Sequence, residues 1–292
     1  MPTTTNPVVA AVGRRGSTAA VAYAADEAVR QHRDLHLVHA VELDVSESES
    51  ADVIDRARLL AAERVVGRVA VTSETSLAPT VPAVVAAARD AWLLVVGRCP
   101  ESVRTHPYVR SVTGGLASRA LVPVLSVPDD WSDATGSPHV VVGIDDPGLS
   151  DEVLLEAFVA ARTRHARLTI ISTWWRPTGA GDRPLTQVDD LDRPERVRAG
   201  LDELTASLSG AYPDVPFDLQ VFNRPPGDAL IEASADATLM LLGRHDSLLA
   251  TGSHLGPVAR AVLREATCPV LLATPRRTHH VQRSGAQQEL LA

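Results

Sequence analysis

The chain has 292 residues, 45% of them hydrophobic and 22% charged, which is material for about two globular domains. All 28 basic residues are arginine, which excludes Schiff-base and pyridoxal-phosphate chemistry and the lysine of a Walker P-loop. The net charge of −8 argues against nonspecific nucleic-acid binding, and no apolar run approaches the roughly 18 residues of a membrane span.

In chain order, the apolar run Pro7 to Val12 predicts a first strand ending at Gly13. Ser17 is read as the N-cap of a helix to about His32, with Ala20, Val21, Ala24, Ala25 and Ala28 on its apolar face. Leu35 to Val41 is the second strand. An acidic serine-rich loop leads to a helix from about Asp52 to Arg68, and a weaker strand lies near Val69 to Leu77. The helix Val81 to Arg89 precedes the strand Trp92 to Val96. Alternating strands and helices imply a parallel sheet with right-handed crossovers.

The polar, proline-bounded stretch Pro128 to Pro138 reads as a linker, after which the cycle restarts. His139 to Ile144 is a strand, Ser150 caps a helix to about Thr163, and Leu168 to Thr173 is the next strand. A loop from Arg176 to Leu191 precedes a helix from about Pro194 to Leu208, a strand Phe217 to Phe222 and a helix Asp228 to Ala235. The last unit, Thr238 to Ala273, is strand, glycine-bearing loop, helix from Gly256-Pro257, and strand. Trp92 to Val127 is the same unit: Gly97 aligns with Gly243 and Pro123 with Pro269 without a gap. Such a repeat means two copies of one domain. The boundaries are 6–128, a linker 129–136, and 137–275, with a polar tail 276–292 read as disordered.

Gly243 to Asp246, nine residues, Gly256-Pro257-Val258 and a closing Cys-Pro-Val, with Asp145 ending a strand, resemble the universal stress protein (UspA) family. The resemblance covers both halves. It implies an α/β fold of two doubly wound domains, each a five-stranded parallel sheet flanked by helices. It also implies ATP at the strand carboxyl ends in some members and no nucleotide in others. On this resemblance the second copy's nucleotide residues are Asp145, Gly243, Arg244, Asp246, Gly256 and Val258. Glycines let a loop approach phosphate, and a helix amino terminus offers free N–H groups. Two departures weaken the site. Asp246 replaces a glycine and sets a carboxylate against phosphate, a repulsion of about 1 kcal/mol in water at 4 Å. Pro257 replaces a hydroxyl residue and removes one backbone donor. Mg2+ between Asp246 and phosphate would reverse the sign.

The first copy has Gly13 in place of the strand-end Asp, Pro100 for the second glycine and Arg110 for the third. Its candidate is an anion site of Arg14, Arg98, Arg110 and Ser111, against the alternative of solvated surface arginines. His245, Asp246 and His254 share a loop but match no zinc spacing. Cys99 and Cys268 match none either and read as buried or half-buried thiols. The chain lacks GxSxG, HExxH and GxGxxG, so no enzyme activity is expected.

Three functional readings follow: a regulatory stress protein with ATP and Mg2+ in domain 2, a nucleotide-free scaffold acting by protein–protein contacts, and, weakest, an ATP-hydrolysing enzyme. The two domains are expected to pair as an intramolecular pseudo-dimer through their last strands, with a homodimer as a further option. Neither nucleic acid nor membrane is expected as a partner. An N-terminus without signal-peptide features makes the cytoplasm the default location.

Overall fold

Continuous apolar runs suit strands covered on both faces, and here they build a single sheet. A computed structural model describes residues 6–15, 17–41, 46–99, 112–132, 136–147, 150–174, 193–244 and 255–273. Repeat one comprises β1 (Val8–Val12), α1 (Thr18–Arg30), β2 (Leu35–Ala40), α2 (Glu47–Val65), β3 (Val71–Ser76), α3 (Thr80–Ala87), β4 (Leu93–Arg98), α4 (Val112–Ala117) and β5 (Val124–Pro128). Repeat two comprises β6 (His139–Ile144), α5 (Asp151–Arg164), β7 (Arg167–Thr173), α6 (Arg193–Ala211), β8 (Phe217–Phe222), α7 (Pro226–Ala233), β9 (Leu239–Leu242), α8 (Pro257–Glu265) and β10 (Val270–Leu272).

The strand order is β3-β2-β1-β4-β5-β10-β9-β6-β7-β8. Every pairing within a repeat is parallel, and each half is the expected five-stranded sheet. The halves meet where β10 runs antiparallel to β5, with Val270 opposite Ser126 and Leu272 opposite Val124. A strand's side chains alternate between faces, so the sheet divides the core into two layers, and each layer crosses both repeats. One contains Val8 and Leu35 with Phe158 and Leu168; the other contains Val9 and Leu94 with Met240 and Val262. On the first face a buried ion pair also crosses the seam. Glu27 of α1, 2% exposed, accepts from Arg164 of α5 at 2.7 Å.

Three local expectations change. Helix α2 begins five residues before the predicted Asp52, because Ser46 and Glu49 close a reciprocal capping box: the Ser46 hydroxyl accepts from the Glu49 amide, and the Glu49 carboxylate accepts from the Ser46 amide. Ser17 precedes α1 but makes no side-chain cap; it sits in the left-handed region at φ 46°, and its hydroxyl accepts from the Gly13 amide. Ser150 likewise does not cap α5, and its hydroxyl donates to the Asp146 carbonyl at 2.6 Å. The expected loop 176–191 and tail 276–292 lie outside the described residues. No helix among the described residues is long and apolar enough to cross a membrane.

An unpaired apolar strand is a template for association. A chain ended at residue 130 would carry β5 as a bare edge, and it is expected to elute as a dimer or larger species in size-exclusion chromatography with light scattering. A monomer at high concentration would count against the seam as the reason the two repeats stay together.

Candidate functional site

In an open α/β sheet, ligands bind beyond the strand carboxyl ends, where connections leave neighbouring strands in opposite directions. In this sheet those points lie between β1 and β4 in repeat one and between β6 and β9 in repeat two. The glycines expected there, Gly97 and Gly243, are in place, but the arginines that follow them turn elsewhere.

Arg98, at the end of β4, is only 5% exposed, and its guanidinium crosses the seam. Nη1 donates to the carbonyls of Val262 (3.3 Å) and Leu263 (2.9 Å), and Nη2 donates to Cys268 (3.1 Å). Arg244 is also 5% exposed and makes the reciprocal reach. Its Nη1 donates to Ala117 (3.1 Å) and Ala120 (2.8 Å), Nη2 donates to Val122, and Nε donates to Ala273. Leu263 and Ala117 are counterparts in the two repeats, as are Cys268 and Val122. Each arginine therefore closes the carboxyl end of the other repeat's last helix, where carbonyls lack helical partners and a cation meets the negative end of the helix. Burial lowers both guanidinium pKa values, that of Arg244 to about 10, so Arg244 remains charged at neutral pH. Neither arginine joins an anion or phosphate site, which corrects the sequence-based assignment of Arg98 and Arg244. A motif position shows which residue leaves the strand, not which way a long side chain folds.

The two crevices differ in the room they offer. In repeat one a Cβ placed on Gly97 would lie 3.0 Å from Asp129 Oδ1 and 3.2 Å from Ser17 Oγ, so the chain itself covers that glycine. The Asp129 amide donates to the Arg98 carbonyl at 3.0 Å, which holds the residue beside the strand end. Desolvation of its inner side, and then Asp130, raise the Asp129 carboxyl pKa, while Arg15 and Arg98 oppose them. In repeat two, among the described residues, a Cβ on Gly243 would meet only Val153, at 4.0 Å. Asp145 and Gly243 are exposed, Gly256 and Val258 half-buried. Gly256 is the extended residue that starts α8, and Pro257 takes the first helical position without breaking the helix.

Arg14 lines a cleft of about 250 Å³ at the ends of β1 and β2, with His39, Ala40, Glu49, Asp52, Val53 and Arg56. The expected gathering of Arg14 with Arg98 is therefore not seen. Arg110, Ser111, Asp246, His245 and His254 lie outside the described residues. Among the described residues no group of three His, Cys, Asp or Glu side chains could hold a metal ion. Cys99 is half-buried and Cys268 buried, and burial pushes the Cys268 thiol up to about 12. Asp129 was missed because it falls in the apparent linker; only its acidic neighbourhood hinted at it.

Comparison with known proteins decides the family. The model of the universal stress protein family matches residues 137–274. A universal stress protein of Mycobacterium bovis is 30% identical over 213 residues, covering 71% of this chain and 67% of that protein. The chain belongs to the universal stress protein family. A universal stress protein of Mycobacterium tuberculosis is 29% identical over 288 residues, covering 91% of this chain and 96% of the relative. The crystal structure of a universal stress protein from Archaeoglobus fulgidus shares the fold at 14% identity, with a TM-score of 0.63, over 91% of this chain and 98% of that one.

Two substitutions test the seam of this universal stress protein. Arg244→Met keeps the side chain's bulk but strands the carbonyls of Ala117, Ala120 and Val122. Each buried unsatisfied acceptor costs about 1–3 kcal/mol, so the urea midpoint is expected to fall by the equivalent of at least about 2 kcal/mol at unchanged slope. A midpoint within error of the unmodified protein would contradict the clasp. The second substitution concerns Glu156 of α5. Burial pushes its carboxyl up to about 7, with Arg244 opposing and Glu152 adding to the shift. Its folded-state pKa lies above the unfolded value of about 4.3, so the native state binds the extra proton. The contribution of Glu156 to stability therefore falls as pH rises through that window and is level above it. Relative to the unmodified protein, Glu156→Gln should gain stability between pH 5 and pH 8 in a denaturation series. A difference independent of pH would show that Glu156 does not titrate there.

Proposed function

We propose that this universal stress protein is regulatory, that its second repeat holds an adenine nucleotide as ATP with Mg2+, and that it performs no chemistry on that ligand. The observation that carries the proposal is the unequal room over Gly97 and Gly243. A nucleotide phosphate needs close backbone approach beside a helix amino terminus; in repeat two Gly243 follows β9 with little described side chain over it, and Gly256 starts α8. Asp145, exposed at the end of β6, would accept hydrogen bonds from the sugar or base. Gly256 and Val258 complete the wall, and Asp246 would share a metal ion with the phosphates. Arg244 is excluded by its place in the seam. The two repeats work as an intramolecular pseudo-dimer.

Pro257 favours a second reading, a nucleotide-free scaffold that works through protein contacts. It removes a backbone donor where phosphate would bind. Thermal melts with ATP, with and without Mg2+, separate the two readings. Under the nucleotide proposal, ATP with Mg2+ stabilises the native state by about 2.7 kcal/mol at a hundredfold excess over Kd. Asp145→Ala should abolish that shift, and Asp246→Gly should remove the need for the metal. Tight metal-independent binding would refute the role given to Asp246. Silence of both the unmodified protein and Asp246→Gly would establish the scaffold.

A further inference from the structure

We infer that Arg98 of repeat one is a positioning residue for the site in repeat two, an assignment that rests on the nucleotide reading of that repeat. By gripping the carboxyl end of α8 it fixes the helix whose amino end forms the phosphate wall. Arg98 Nη1 donates to the carbonyls of Val262 and Leu263 in the last turn of α8, and Nη2 donates to Cys268 just beyond it. The base from which it reaches is rigid. Arg98 pairs with Pro128 in the ladder of β4 with β5, and its carbonyl accepts from the Asp129 amide at 3.0 Å. The nine residues of α8 form a single rod of about 14 Å, so whatever sets one end sets where the other stands.

Repeat two holds α8 as well, but in another way. Ala259, Val262 and Leu263 are buried in the second layer, and burial of apolar surface is non-directional, so it leaves a helix free to slide along the sheet. Ser234 binds Thr267, two residues past the helix, its hydroxyl accepting from the Thr267 amide at 3.0 Å. The bonds from Arg98 fall on the last turn itself and come from the other repeat. Gly256 and Val258, at the opposite end of the rod, therefore take their place relative to Gly243 with the two repeats in register. The mirror contact does not act on this wall, because Arg244 grips Ala117, Ala120 and Val122 of repeat one. Coupling of this kind is reciprocal: a nucleotide that orders α8 also tightens the hold of Arg98 on the seam.

Calorimetric titration of the full chain with ATP and Mg2+, below the unfolding transition of every variant, is paired with hydrogen exchange of the unliganded protein. Arg98→Met keeps the bulk and removes the three bonds. Its Kd is expected to rise at least fivefold, and the amides of Arg260 to Leu263 are expected to exchange at least tenfold faster while those of β6 do not change. Arg98→Lys keeps the charge and part of the reach, so both effects should be smaller. Should Arg98→Met not fold, the lysine variant decides, with at least a twofold rise in Kd expected. Glu27→Gln weakens the seam on the other face and should leave Kd within twofold, which separates positioning of α8 from general loosening. Arg98 variants that bind as the unmodified protein does, or an equal loss in Glu27→Gln, would overturn the inference. If the unmodified protein binds no nucleotide, the reading of repeat two fails instead, and exchange alone judges the hold on α8. Amides of α8 faster in Arg98→Met than in Glu27→Gln would then support that hold, and equal rates would overturn it.

Discussion

The structure depends on two buried arginines, each held by the backbone of the repeat it does not belong to. A guanidinium has five donors in a fixed fork, and few environments satisfy it away from water except a cluster of carbonyls or acids. The carboxyl end of a helix is such a cluster. Arg98 finds one at the end of α8, and Arg244 finds one just beyond α4. Because each arginine would be a stranded charge without its partner repeat, the two halves are obliged to meet in one register. The antiparallel pairing of β5 with β10 supplies the register, and the ion pair of Glu27 with Arg164 reinforces it on the opposite face.

This arrangement bears on ligand binding. Arginine following a strand-end glycine is available to phosphate only if nothing better claims it, and here the seam claims both. What remains at the two crevices, among the described residues, is backbone, small residues and carboxylates. The described carboxylates near the two strand ends also differ, Asp129 beside Gly97 in one repeat and Asp145 after β6 in the other.

Much of this could be read in the residues. The gapless match of Gly97 with Gly243 and Pro123 with Pro269 gave the repeat, and the apolar runs gave the strands, because burial on both faces leaves a continuous signal. Pairing of the terminal strands followed from the cost of a bare edge. The start of α2 was misplaced because a serine-rich acidic loop hid the Ser46 and Glu49 capping box. The arginines were misassigned for a deeper reason. Their partners are carbonyls, which every residue carries, so composition cannot mark them. Asp129 was overlooked because its role depends on the distance from one side chain to a glycine in another strand, which only the fold brings together.

The seam is close to two-fold symmetric, with the same strand and the same arginine presented by each half. Two separate single-repeat chains could assemble by the same contacts, but any substitution would then appear at both ends of the axis at once. Joining the halves in one polypeptide removes that restriction. It also turns association into an intramolecular event, at an effective concentration on the order of millimolar for short flexible linkers. With assembly secured in this way, matching positions of the two repeats can change independently, as Asp129 and Pro275 have. Covalent fusion therefore permits divergence as well as adding stability: a nearly symmetric seam can join two halves whose surfaces no longer match.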